Sequence, residues 1–101
     1  MSNVFKNVSG TATTSGLTVY TVPSATTAVV IGLMLCNKSS SQVTATVTIG
    51  STNVLYQVPI PANSSFSGLD GKLIMTAGQS MTVTASALSS IDCFVSLLEQ
   101  A

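Results

Sequence analysis

Val43-Thr44-Ala45-Thr46-Val47-Thr48-Ile49 alternates small apolar residues with threonine over seven positions. Strict alternation puts Val43, Ala45, Val47 and Ile49 on one side of an extended chain and the threonines on the other. β-branched residues fit a pleated, half-buried surface, so the stretch predicts a strand with its apolar side against a core. The grammar repeats downstream. Met81, Val83, Ala85 and Ala87 alternate with Thr82, Thr84 and Ser86, and Ile91, Cys93, Val95 and Leu97 alternate with Asp92, Phe94, Ser96 and Leu98. No window shows a helical i, i+3, i+4, i+7 pattern of equal quality. Strands are predicted near 3–8, 16–22, 27–37, 41–50, 53–59, 64–68, 72–76, 80–87 and 90–99.

Turn chemistry supports these boundaries. Asp70-Gly71 between Phe66–Leu69 and Lys72–Met75 reads as a two-residue hairpin. Asn37–Ser41, Gly50–Asn53, Ala77–Gln79 and Leu88–Ser90 separate other strands. Pro59 and Pro61 flank Ile60, so that segment belongs at a sheet edge or strand exit. Short strands at spacings of roughly 8–12 residues predict an all-β fold. The expectation is a single antiparallel β-sandwich of about 8–9 short strands, with jelly-roll and immunoglobulin-like topologies both open. Residues 1–15 are an N-terminal arm or a first strand, and residues 16–101 are the sandwich domain.

Ala28–Cys36 stands apart because both of its faces are apolar. Val29, Ile31, Leu33 and Leu35 alternate with Val30, Gly32, Met34 and Cys36. Such a strand is central with an extra layer, or presents one face to a neighbouring subunit. The last strand repeats the theme with Phe94 and Leu98. Candidate interface residues are therefore Val4, Phe5, Val30, Met34, Phe94 and Leu98.

Composition narrows the function. The 101 residues include 3 Lys+Arg, all lysine, 3 Asp+Glu and no His, and 30 are Ser or Thr. Charged residues are 6% of the chain against about 25% in ordinary soluble domains. With no arginine and no basic excess, no nucleic-acid partner is expected. The commonest general base and metal ligand is missing. Asp70, Asp92 and Glu99 show no spacing for a paired-carboxylate site, and the hydroxyls have no partner base. The expectation is no enzyme, no catalytic residue, no metal or other cofactor and no small-molecule substrate. Cys36 and Cys93 are expected as buried free thiols, since an immunoglobulin-type bridge lacks its Trp and its tyrosine corner. The longest apolar run, Ala28–Cys36, is far short of the roughly 20 residues of a membrane helix. Met1–Gly10 lacks the basic start and apolar core of an export signal, so the chain is expected to be made in the cytoplasm without a membrane anchor. A mean hydropathy of +0.57 at zero net charge favours life in an assembly over a free monomer.

The order of motifs adds a resemblance. Leu17-Thr-Val-Tyr20-Thr-Val-Pro23 is followed by Thr26-Thr-Ala-Val-Val30, Cys36-Asn-Lys-Ser39, an alternating Thr/Val strand and Val58-Pro-Ile-Pro61-Ala. Then come Gly71-Lys-Leu-Ile74, Ala77-Gly-Gln-Ser80-Met-Thr-Val83, Ser90-Ile-Asp92 and Leu97-Leu-Glu99. This series resembles the small β-sandwich virion proteins of tailed bacteriophages, particularly phages of cyanobacteria and other marine bacteria. Gln79 stands where that group often has aspartate, which removes a charge. The resemblance implies a structural role in the virion, with capsid decoration (cement) on the outer surface ahead of a tail, neck or fibre part. It also implies the major capsid protein as partner and a homotrimeric subunit, and it carries no catalytic residues. A carbohydrate- or surface-binding module is the competing class; it needs exposed aromatics in a groove, and Tyr20 and Tyr56 are its candidates.

Overall fold

The computed structural model describes residues 3–68 and 71–101. Among these residues nine strands run β1 Asn3–Thr11, β2 Leu17–Thr21, β3 Thr27–Asn37, β4 Val43–Ile49, β5 Thr52–Ile60, β6 Ser64–Ser67, β7 Leu73–Met75, β8 Ser80–Ala85 and β9 Ile91–Gln100. They form two antiparallel sheets packed face to face. One has the order β1-β9-β3-β6, with β7 also on β3, and the other the order β2-β8-β4-β5. The alternating residues of the opening motif behave as the pattern demands. Val43, Ala45, Val47 and Ile49 are buried, while Thr44, Thr46 and Thr48 stay half-exposed on the far side.

The strand order selects between the two open topologies. β6 and β7 both lie antiparallel to β3, β6 opposite Met34–Asn37 and β7 opposite Ala28–Val30. They are two pieces of one interrupted edge strand. Taken so, the chain alternates sheets at every connection except the β4–β5 hairpin, which is the jelly-roll arrangement. An immunoglobulin sandwich would pair its first two strands in one sheet; here β1 and β2 lie in different sheets. The hairpin expected at Asp70-Gly71 is corrected accordingly, since the flanking strands pair with β3. Leu69 and Asp70 themselves lie outside the described residues.

A β-bulge changes the reading of β3. Its pairing with β9 shifts between Val30 and Gly32, so that Val30 faces Leu97, Gly32 faces Ser96 and Ile31 is the extra residue. Ala28 and Val30 point inward before the bulge, and Leu33, Leu35 and Asn37 point inward after it. The single alternation expected across Ala28–Cys36 is therefore two alternations out of phase. Val30, expected at an interface, is 0% exposed and belongs to the core.

The core fills the space between the sheets with Leu33, Leu35, Val95 and Leu97 on one side and Val47, Met81 and Val83 on the other. Asn37 is the largest polar exception. Its buried Nδ2 donates to the carbonyls of Ser41 and Ile60 at 2.9 Å each and of Pro61 at 3.2 Å. Its Oδ1 accepts from the Ser39 amide and hydroxyl at 2.9 and 2.8 Å. One side chain thus folds the 37–41 turn and ties it to the end of β5.

Candidate functional site

The two outer faces differ in chemistry. On the four-stranded sheet a hydroxyl row crosses the strands, with Thr18 opposite Thr82, Thr82 opposite Thr48, and Thr48 opposite Asn53. Thr84 opposite Thr46 forms part of the next row. β-branched threonines suit such a pleated, half-exposed surface, and the Thr46 hydroxyl accepts from the Gln57 amide at 3.0 Å.

The outer face of the five-stranded sheet carries apolar rows. Because residues directly opposite in a ladder share a face, the registers place Phe5 beside Leu98, Leu98 beside Val29 and Val29 beside Ile74. This row spans every strand position of the sheet. A polar row follows, with Asn7 and Gly32 on either side of Ser96. Ile31, pushed out by the bulge, stands beside it with Ile31 and Met34 both exposed. Next come Ser9, Phe94, Met34 and Ser67 in one line, then Thr11, Asp92, Cys36 and Ser65. A shallow depression of about 340 Å³ opens between the last two rows, lined by Ser9, Met34, Cys36, Asp92 and Phe94. Large apolar side chains that meet across strands on one solvent face are the feature that marks an interaction surface.

An ion pair sits at one end of this face. Lys38 Nζ lies 3.1 Å from Asp92 Oδ1, and the Thr11 hydroxyl donates to the same oxygen at 2.8 Å. The Thr11 hydrogen bond, with Lys38 alongside, holds the Asp92 carboxyl below its ordinary range. At the opposite end, between the sheets, the buried Tyr20 hydroxyl donates to Glu99 Oε2, which also lies 3.7 Å from Lys6 Nζ. Burial, reinforced by the adjacent carboxylate, raises the Tyr20 hydroxyl far above its ordinary value. This cluster bridges β2 to β9 and β1 and closes that end of the sandwich.

The structure distributes the expected interface residues unevenly. Phe5, Met34 and Phe94 are exposed on the apolar face, and Leu98 is half-buried there. Val4 is exposed on the other face of β1, beside Glu99. Val30 is in the core. Val29, Ile31 and Ile74 join the face without having been singled out by the sequence pattern. Gly32 inside an apolar strand was the available signal, because an isolated strand glycine often marks a bulge. The cysteines also separate. Cys36 is exposed, whereas Cys93 is buried and burial pushes its thiol up. They sit on adjacent strands with side chains on opposite faces, so the expectation of two buried thiols holds for Cys93 alone. Of the two tyrosines, Tyr20 is buried and Tyr56 is exposed. Among the described residues, no three His, Cys, Asp or Glu side chains converge as metal ligands. Among the described residues, no helix is long and apolar enough to cross a membrane.

Set against protein-family models, curated proteins and solved structures, the chain matches none of them.

Proposed function

We propose that this protein is a structural subunit of a virion that decorates the capsid, seating the outer face of its five-stranded sheet on the major capsid protein. The observation that carries the reading is the contrast between the two outer faces: apolar rows through Phe5, Leu98, Val29 and Ile74 and through Phe94 and Met34, against threonine rows on the other sheet. One face is built to be covered and the other to stay wet. The motif order that resembles phage virion proteins supports reading the covered surface as the major capsid protein. Jelly rolls also serve lectins and cupins, so the fold is compatible with the proposal without selecting it.

The mechanism is physical. A subunit that binds only the assembled lattice shifts the assembly equilibrium toward the shell. With 6% charged residues, attachment rests on apolar burial, and it changes little between about 0.05 and 0.5 M salt, where screening of exposed charges differs strongly. The test is quantitative protein analysis of purified particles together with localisation by imaging. Copies comparable in number to the major capsid protein support decoration. A handful of copies at the tail or neck would replace it with a tail component. Met34→Lys should abolish attachment while Thr46→Lys, on the hydroxyl face, should leave it intact.

A further inference from the structure

We propose that two copies of this chain pair edge to edge through β1, antiparallel about a two-fold axis, joining their five-stranded sheets into one continuous sheet. The inference concerns self-association and stands independently of the virion reading.

It begins from a comparison of the sheet edges. An unpaired edge is a template for another strand, and proteins that stay apart blunt it with short strands, bulges, prolines or charges. Three edge positions here are blunted. β2 is five residues long with a register shift between Thr18 and Tyr20. β5 has two register shifts against β4, a Gln57 at φ 48° and Pro59, which has no N–H to offer. The third edge is the interrupted pair β6 and β7, four and three residues long. β1 alone is long and regular. It keeps one register along β9 from Asn3–Gln100 to Thr11–Asp92 over nine residues. It contains no proline and no residue at positive φ. Its single charge, Lys6, is turned toward Glu99 and so does little to guard the edge. Among the described residues, none of the backbone hydrogen bonds outside the named strands involves Asn3–Thr11.

The side chains of β1 point to the same conclusion. Phe5 is 75% exposed and its neighbour Val4 is 50% exposed, on opposite faces of the strand. A layer on one face would cover only one of them, whereas a strand laid alongside flanks both. A two-fold centred on Asn7 overlaps all nine residues. It sets Phe5 opposite Ser9 of the second copy and Val4 opposite Gly10 of the second copy. Ser9 already pairs with Phe94. Phe5 of one copy would therefore join its own apolar row, through the small Ser9, to the Phe94–Met34 row of the other. Lys6 falls opposite Val8, away from its symmetry mate. With zero net charge the two copies have no long-range repulsion to overcome.

The symmetry follows from the same comparison. A closed trimer, the state implied by the resemblance, would need β1 to dock on a different edge of its neighbour. Each of those edges is blunted. Two-fold pairing uses β1 twice and needs none of them.

Sedimentation of the full chain over a concentration series tests the proposal. The expected species has twice the 10.3 kDa chain mass. Phe5→Lys should shift the dissociation constant upward by tenfold or more while circular dichroism keeps its strand signature. The register has its own readout. In a Cys36→Ser background, Asn7→Cys should form a disulfide-linked dimer on mild oxidation, because directly opposed residues in an antiparallel pair have Cα atoms about 4.5–5.5 Å apart, within reach of a disulfide. Val4→Cys in the same background should not. A monomer at all concentrations, a trimer, or equal cross-linking of the two cysteine variants overturns the proposal.

Discussion

Replacing Asn37 by alanine removes the polar hub that joins the 37–41 turn to the end of β5. The amide makes three donor contacts, to the carbonyls of Ser41, Ile60 and Pro61, and accepts two from Ser39. An intramolecular hydrogen bond contributes about 0.5–1.5 kcal/mol net, and a buried group stripped of its partner costs about 1–3 kcal/mol. With only two N–H groups shared among three carbonyls, the sum is about 3 kcal/mol. At about 4–8 °C per kcal/mol for a domain near this size, Tm should fall by about 12–24 °C. Thermal unfolding followed by circular dichroism, at fixed protein concentration, reads this directly. Asn7→Ala is the control: its side chain accepts one exposed bond from Ser96 at 3.1 Å, and the change should stay within about 0.5 kcal/mol. Asn37→Asp sharpens the test. It places a carboxylate against three carbonyl oxygens, so it should cost more than alanine at neutral pH. The same burial raises its folded pKa, so part of the loss should be recovered as pH falls toward about 4, the unfolded value, with no further gain below it. An alanine variant within about 1 kcal/mol of the parent, or an aspartate variant as stable as the parent at pH 7, refutes the hub.

Val30→Asp should prevent folding, since it buries an unpaired charge in the core, whereas Met34→Asp should fold and cost less than about 1 kcal/mol. Equal tolerance of the two, read by expression and melting, would remove the bulge at Ile31. Stability should fall as pH rises above about 10: the folded Tyr20 hydroxyl titrates above its ordinary value of 10.0, so its contribution is complete below that value and is lost at higher pH. Tyr20→Phe should flatten that alkaline limb. Asp92 works at the other end of the scale. Its folded carboxyl titrates below 3.8, so its small, solvent-exposed contribution is present above that value and is lost as pH falls below it. A Thr11→Ala variant should lose most of that acid limb in urea titrations.

The outward threonines and inward aliphatics of β4 and β8 were legible residue by residue, because alternation is a local property of an extended chain. Pro59 likewise announced an edge without help from the fold. The apolar face was half legible. Phe5, Met34 and Phe94 stood out as large apolar residues on faces that should have been polar, but Val29 and Ile74 became part of the face only when β7 was laid on β3.

Strand content, the all-β class, the edge character of β5 and the poverty of charge were determined by the sequence alone, since each depends on a residue and its near neighbours. Which strands pair was decided by the tertiary structure. The bulge at Ile31 exists because β9 supplies one residue where β3 supplies two, and that mismatch moved Val30 from the surface to the core. The Asp70-Gly71 signal did not join a hairpin because β3 held both flanking strands. Cys36 and Cys93 parted company because adjacent strands, out of step by one residue, turn them to opposite faces. Pairing partners lie far apart along the chain, and a period of two says where a side chain points only after its neighbours have set the phase.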